Sequence, residues 1–570
     1  MLLSIKEQSS FMQIKQDLMN YLKEHFKLKN LTQKIILEQP RHFDLGHLAW
    51  PVFNLAKQQK KSPQKLADEF SQSISASPPS FLNSCESLAG FVNFKFKDLY
   101  IQNHLKSLFH KKELSVFNLE KPEHLVLDFA SPNVAKHMNV GHLRATLLGQ
   151  VLVNLARAFG FKVTALNHLG DWGSQFGKLL WAYKEWGKEY DFKDKAFDSL
   201  VKLYIRFYES AESDKQKLKS AKEMFKKLEE GDQDLKELWQ FFVELSVKNY
   251  KKYWDFLKVQ HDLVLGESFY VPFMEDLKTR LREKNLLKPS EGAQVVFLKN
   301  SEIPCLISKS DGTSTYPSRD LCSIIYRFEK LKADLNIYIT GSDQNLHFKQ
   351  IFEVSQHLNS HWKNLHLQFG MYRFKGHGKM STRRGKAVYI KDILKQTLAR
   401  VEKIIETRNP FLEDKKNISK QIALGALIFN DLMQDRIKDV DFDWNKILDF
   451  EGNSGPFVQY SLVRARSLLK KSGFIAEENF QFPYQDKQEQ HLAWLLILFE
   501  SICFQSLDKL KPHFLARYLL DLSKSFNRFY NSEKIIGHSR QQDRLFLTKL
   551  TYRVLFRGLE LLNIPRPQAM

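Results

Sequence analysis

His124-Leu-Val-Leu-Asp-Phe129, the turn Ala130-Ser-Pro-Asn-Val-Ala-Lys-His-Met-Asn139, and then Val140-Gly-His-Leu143 opening a long amphipathic run: this stretch decides the fold. The first six residues read as a short, fully buried strand. From about Gly141 onward, Leu143, Leu147, Leu148, Val151, Leu152 and Leu155 recur at helical spacing and give one continuous apolar face. Phe161-Lys-Val-Thr-Ala-Leu166 returns as a second strand. The unit is βαβ, with its polar residues at the strand's C-terminal end and the helix N-terminus. Nucleotides bind at that edge of an open α/β sheet, and free N–H groups at a helix start suit phosphate oxygens.

Moving outward, a second edge of the same kind appears in Leu335-Asn-Ile-Tyr-Ile-Thr340, followed by Gly341-Ser-Asp-Gln344 and a helix through Phe348, Ile351 and Val354. A strand expected over Leu365 to Tyr372 leads into Gly376-His-Gly-Lys-Met-Ser-Thr-Arg-Arg-Gly385, a basic loop whose Lys379, Arg383 and Arg384 can neutralise a triphosphate. Gly141 permits close backbone approach to a nucleotide, and His142 can hydrogen-bond a phosphate as its charge rises. Each feature alone is weak, since a Gly-His helix start and a Gly-Lys-rich loop are both common without any ligand.

Three regions of texture divide the 570 residues: 1–115, mixed helix and strand, including the alternating Gly90-Phe-Val-Asn-Phe-Lys-Phe96; 116–395, alternating strands and helices with a charged helical insertion at about 176–256; and 396–570, helical almost throughout, with Phe514, Tyr518, Leu522, Phe526 and Phe529 on one face. The net charge of +21 suits a polyanionic partner as well as it suits lysine-rich solvated faces. The four cysteines form no CxxC pair, and His357 and His361 have no metal-site partners beside them, so neither a disulfide framework nor a structural metal is expected. No signal peptide is expected at the N-terminus. The longest apolar stretch, Ala493 to Phe499, is too short to span a bilayer. Gly173-Ser-Gln-Phe-Gly-Lys178 fails as a phosphate loop, having three residues between its glycines and no Ser or Thr after the lysine.

Asn139-Val-Gly-His142 and Lys379-Met-Ser-Thr-Arg383, in this order and on these elements, resemble the two signatures of class I aminoacyl-tRNA synthetases. The surrounding blocks narrow the resemblance to the arginyl-tRNA synthetases: Ser131-Pro-Asn-Val-Ala-Lys136, Asn167-His-Leu-Gly-Asp-Trp-Gly-Ser-Gln-Phe-Gly177, Gly266-Glu-Ser268, Asp311-Gly-Thr313, Tyr316-Pro-Ser-Arg-Asp320, Gly341-Ser-Asp-Gln344, and Phe450-Glu-Gly-Asn-Ser-Gly-Pro456 with Gln459-Tyr460. They span nearly the whole chain. Two positions depart from the pattern: Asn139 stands where the family usually has His, and Thr382 where many class I enzymes have a second lysine, a loss for which Lys136 is a candidate substitute.

The resemblance implies a Rossmann-type catalytic α/β domain with helical insertions, an α+β N-terminal domain and an all-α C-terminal bundle. It implies an enzyme that joins L-arginine to ATP as arginyl-adenylate and transfers it to the 3′ end of tRNA(Arg), a cytoplasmic monomer with no membrane partner. ATP would meet Asn139, Gly141, His142, Lys379, Met380, Ser381 and Arg383, with Lys136 adding charge and Mg²⁺ held mainly through the phosphates. Glu267, Tyr316 and Asp320 would face the guanidinium, which demands carboxylates, with Asn133 and Gln344 toward the other end of the amino acid. Asp320 as an ordinary ion-pair partner and Tyr316 as a core aromatic are the plainer alternatives. Asn93 in the N-terminal domain, and Gln459, Tyr460, Arg464 and Arg466 in the bundle, would touch tRNA, while Phe526, Phe529 and Tyr530 belong to the core. A rival reading, a tRNA-binding paralogue without chemistry, rests on Asn139.

Overall fold

The computed structural model describes residues 9–27, 35–114, 119, 121–211, 214–374, 378–379, 388–474, 486–532 and 534–570. Five parallel strands, β1 His124–Asp128, β2 Lys162–Asn167, β3 Leu263–Val264, β4 Leu335–Tyr338 and β5 Asn364–His366, form a sheet in the order β5-β4-β1-β2-β3. Every residue of β1 is buried, as a strand covered on both faces requires. Helix α1, Val140–Ala158, carries the chain from β1 to β2. It runs so close to the sheet that a Cβ on Gly149 would stand 2.1 Å from Cγ of Phe129, so only glycine fits.

Helices α2 (Ser174–Trp186) and α3 (Ala196–Ala211), with Lys215–Glu229 and Gln233–Phe256, make up the insertion before β3. Helices α4 (Tyr316–Glu329) and α5 (Asn345–Leu358) flank β4, and Leu321, Ile324, Phe348 and Ile351 join Val126 and Leu166 in one core. Because β2 lies on one side of β1 and β4 on the other, the crevice beyond their C-terminal ends is a topological switch point.

The single strand expected from Leu365 to Tyr372 is two. The chain leaves the parallel sheet after His366, and Tyr372–Phe374 pairs with Val440–Phe442 in a separate small sheet. Gly370 N donates to Arg436 O at 2.8 Å, which commits the intervening backbone to that second partner. The sequence signal could not distinguish one longer strand from two short ones with different neighbours.

By contacts the chain divides into two units, one of residues 117–408 and 430–447, which holds the sheet, and one of 1–116, 409–429 and 448–570. In the second unit Leu48–Pro51, Phe91–Phe96 and Leu82–Leu88 form an antiparallel sheet. The helix Lys487–Asp508 is long and apolar enough by composition to cross a membrane, but it is a core helix here: Leu492, Leu496 and Phe499 are buried, and Trp494 packs edge-on against Phe11 at 5.7 Å.

Candidate active site

The nucleotide half of the site is built around the start of α1. Asn139 is the N-cap: its Oδ1 accepts from Gly141 N at 2.9 Å and from His142 N at 3.2 Å, satisfying amides that would otherwise lack partners. His142 completes the cap reciprocally, its Nδ1 lying 3.2 Å from Asn139 N and 2.8 Å from Asn139 Oδ1. The imidazole is accordingly held in place by the residue that replaces the family's usual histidine. Burial and the neighbouring Lys136 pull its pKa down to about 4, so it is neutral at physiological pH. His142 therefore enters the site as a neutral imidazole, with Lys136 the neighbouring cation.

Residues on the far side of the second signature are pinned to this turn. Val140 N donates to Val388 O at 3.2 Å and Ile390 N to Met138 O at 3.0 Å, so the chain at 388–390 is paired with the turn that carries the first signature. Lys379 is described as backbone only, in the short strand Gly378–Lys379; its side chain, with Met380, Ser381 and Arg383, lies outside the described residues. Arg144 was missed by sequence reasoning. It is a buried residue of α1 itself, whose Nη1 donates to Gly370 O at 2.6 Å and Lys438 O at 2.9 Å and whose Nε stands 3.2 Å from Asp431. The signal was present: a charged residue set at a wholly apolar helical position needs a buried partner.

The acidic half is carried by the first turn of α4. A capping box, Thr315 Oγ1 accepting from Ser318 N and Ser318 Oγ from Thr315 N, fixes that turn. Tyr316, Arg319 and Asp320 then fall on one face at i, i+3 and i+4. Tyr316 is 54% exposed and no core aromatic. Asp320 receives His347 Nε2 at 2.6 Å and has His168 Nε2 at 3.4 Å. Burial pushes its carboxyl up, but His347, then His168 and Arg327, together hold it below the usual carboxylate range.

Glu267 is buried and accepts Arg319 Nε on Oε2 at 2.7 Å. Burial raises its pKa to about 8, with Arg319 opposing and Asp320 and Asp171 adding. Arg327 donates to Asp128 Oδ2 at 2.7 Å, so the carboxylate at the end of β1 is already matched by a fixed cation.

Asn133 packs over Gly170, where a Cβ would stand 2.3 Å from its Oδ1. Its carbonyl is tied to Tyr250 Oη at 2.6 Å. Gln344 sits exposed in the turn Ser342–Gln344 that leads into α5. The helical insertion also reaches the site. Tyr204 of α3 lies under Lys136 Nζ, 5.4 Å from its ring centre, and Tyr208 receives Lys178 Nζ at 3.0 Å. Tyr208 also acts electrostatically on both Lys136 and Tyr316, so α3 is within electrostatic reach of the nucleotide half and of the acidic half.

Three family descriptions match this chain: "tRNA synthetases class I (R), catalytic domain" over residues 104–444, "DALR anticodon binding domain" over 458–570, and "Arginyl tRNA synthetase N terminal domain" over 12–96. The chain belongs to the arginyl-tRNA synthetase family. It is similar to arginine–tRNA ligases of Clostridium kluyveri (36% identity, 93% of this chain and 95% of the relative) and of Bacillus cereus (37%, 95% and 97%). The crystal structure of arginyl-tRNA synthetase from Plasmodium falciparum superposes with a TM-score of 0.82 at 25% identity, covering 100% of both chains. Family membership makes this a class I ligase that uses ATP, and it favours the enzyme over the inert paralogue.

Among the residues expected to touch tRNA, the structure separates two kinds. Gln459 is fully buried, its Nε2 donating to Gln421 O at 3.1 Å and Pro565 O at 2.8 Å; it ties the helix Gly455–Ser472 to the C-terminal segment and has no face for RNA. Asn93 is buried too, 5% exposed at the middle of a paired strand. Tyr460, Arg464 and Arg466 remain accessible to a partner. The Arg464 guanidinium lies 4.8 Å from the Tyr460 ring centre and 4.7 Å from that of Tyr530, which is half-buried and not the core residue expected. Phe526 and Phe529 are core.

Proposed function

We propose that the site activates arginine with ATP and passes it to tRNA(Arg) by dividing the work between its two halves. The juxtaposition beside α3 of a capped helix start carrying Lys136 with a carboxylate cluster carrying Tyr316 supports this reading most directly. Asn139 Nδ2, Lys136 and a neutral His142 receive the nucleotide's phosphates, while the amides of Val140, Gly141 and His142 are taken up within the turn and its cap. Lys379, Met380, Ser381 and Arg383 would close over them from the second loop. Asp320 and Glu267, with Tyr316 above them, take the guanidinium, and Asn133 and Gln344 the other end of the amino acid.

An arginine carboxylate oxygen then bonds to the α-phosphorus as the bond to the bridging oxygen breaks and pyrophosphate leaves. In the second step the tRNA's terminal hydroxyl attacks the acyl carbon and AMP departs. Neither step needs a covalent enzyme intermediate, so rate comes from positioning and from charge placed where charge develops. Mg²⁺ would ride on the phosphates, because the described side chains at the nucleotide edge are nitrogen donors suited to phosphate oxygens, not a carboxylate cage suited to the ion.

Residues 1–115 and the bundle over 396–570 would hold the tRNA body and anticodon, with Tyr460, Arg464, Tyr530 and Arg466 a stacking and charge platform. Both halves of the site lie on one chain, so the proposed working form is a monomer, acting in the cytoplasm beside its tRNA. ATP–pyrophosphate exchange tests the whole: arginine, and no other amino acid, supports exchange, and the rate depends on added tRNA. Exchange with a different amino acid, or full exchange without tRNA, overturns the corresponding half of the reading.

A further inference from the structure

We propose that Arg319 is a positioning residue for amino-acid selection: it holds Glu267 by one carboxylate oxygen and leaves the other, with Asp320 nearby, to meet the substrate's guanidinium. The inference rests on the reading of Glu267 and Asp320 as guanidinium partners. Arg319 is almost fully buried, and all three of its contacts belong to this pocket. Nε donates to Glu267 Oε2 at 2.7 Å, Nη1 to Ser314 Oγ at 2.7 Å, and the guanidinium lies 4.9 Å from the Tyr316 ring centre. Its backbone is set by the Thr315–Ser318 capping box, so the head group approaches Glu267 from a fixed direction.

The charge count gives the arrangement its consequence. Asp128 is matched by Arg327, and Glu267 by Arg319, while Asp320 is flanked by histidines alone among its close contacts. Asp320 is therefore the carboxylate that a substrate guanidinium meets without competing with a fixed arginine partner. A neutral urea isostere such as citrulline has the shape but brings no cation to that carboxylate in a dry pocket, which is costly.

Arg319 also decides whether Glu267 is an anion at all. The groups that face Glu267 are Asp171 from the loop after β2 and Tyr316, Arg319 and Asp320 from α4. Burial, Asp320 and Asp171 oppose its ionisation, and Arg319 favours it. Without Arg319 the carboxyl keeps its proton to higher pH and stops attracting a cation.

Arginine and ATP KM, measured in tRNA-supported exchange from pH 6 to 9, test this in wild type, Arg319→Gln, Arg319→Lys, Glu267→Gln and the double Glu267→Gln/Arg319→Gln. Arg319→Gln should raise arginine KM by about thirtyfold or more near neutrality, the lower end for breaking a buried charge pair. Part of that loss should return as pH rises, with ATP KM nearly constant. Arg319→Lys should keep part of the wild-type pH profile. In the Glu267→Gln background the Arg319 substitution should add little. Should Arg319→Gln fold poorly, Ser314→Ala loosens the same guanidinium without removing charge and should shift the arginine pH profile in the same direction by less. Glu267→Gln with an unchanged arginine KM would sink the pocket reading and this inference with it. A clear loss in Glu267→Gln, with the Arg319 effect fully additive or equally large on ATP KM, would sink the inference alone.

Discussion

Two buried glutamates in this chain meet arginines, and they are used in opposite ways. Glu489, at the start of the bundle helix Lys487–Asp508, is saturated: Arg540 donates Nη1 to Oε2 at 2.7 Å and Nη2 to Oε1 at 2.9 Å, and Arg544 adds Nε to Oε1 at 2.9 Å. Glu267, at the acidic half of the site, has one oxygen held by Arg319 and the other without an arginine. A carboxylate with both oxygens held by fixed arginines is a fastener, because its charge is already met by two cations. One with an oxygen left over, in a pocket that penalises its charge, is poised for a cation. Burial alone does not separate structure from function; the count of satisfied lone pairs does.

The comparison predicts effects that fall on different measurements. The largest is on the fastener. Glu489→Ala leaves two guanidinium groups without their anion inside the bundle and should cost about 3–5 kcal/mol of stability. It should appear as a lowered urea midpoint, with kcat/KM for arginine nearly unchanged in the fraction that stays folded. A loss of activity without loss of stability would mean that Glu489 is not the inert member of the pair.

Asp320→Asn should do the reverse. It keeps the shape of the side chain and one of its two acceptor oxygens while removing the charge, so kcat/KM for arginine should fall by the equivalent of about 2–5 kcal/mol with the thermal midpoint little changed. If arginine kinetics barely respond, Asp320 serves only His347 and His168, and the acidic half lies elsewhere.

How much of this was legible beforehand depended on the range of the interaction. The sheet edge was legible because β1 is a local apolar run and α1 a local periodicity. Tyr316 and Asp320 were named only through the resemblance to the family's blocks, and the helix Tyr316–Glu329 brings them onto one face. Arg319 stood in the same quoted block without a role, because its partner comes from 52 residues earlier in the chain. Gln459 was read as an RNA contact because its buried partners at Gln421 and Pro565 are brought in by the packing of the bundle, the latter 106 residues away. Long-range pairing of polar groups leaves no periodic trace in sequence, and that is where the reading failed.

The nucleotide half sharpens the contrast, since its central side chain does not titrate where the acidic half does. With its pKa held near 4, His142 stays neutral across pH 6 to 9, whereas Glu267, near 8, changes charge inside that window. His142→Ala should therefore lower single-turnover adenylate formation by on the order of 10²-fold, the scale of one transition-state donor, and by a similar factor at each pH. A deficit that grows steadily toward low pH would show that the imidazolium is the working form.

The smallest effect is expected at Asn139, the position that departs from the family. Asn ranks among the best N-caps, and here its Oδ1 takes two backbone amides of α1 while orienting the His142 ring. An imidazole offers one acceptor nitrogen at most, so Asn139→His exchanges a good cap for a group that can itself approach phosphate. These changes oppose one another, and the exchange rate should move by less than about tenfold, or ~1.4 kcal/mol. Asn139→Ala removes the cap and replaces it with nothing. It should cost about 1 kcal/mol of stability, and it should lower the adenylation rate by more than the His substitution does, because His142 loses its anchor as well. The residue thus works through the helix start more than through its own charge, since it has none and Lys136 already supplies one beside it. Single-turnover adenylate formation by wild type, Asn139→His and Asn139→Ala decides the matter. A nearly inactive wild type strongly revived by His would mean that the cap preserves the fold of a site whose chemistry had lapsed.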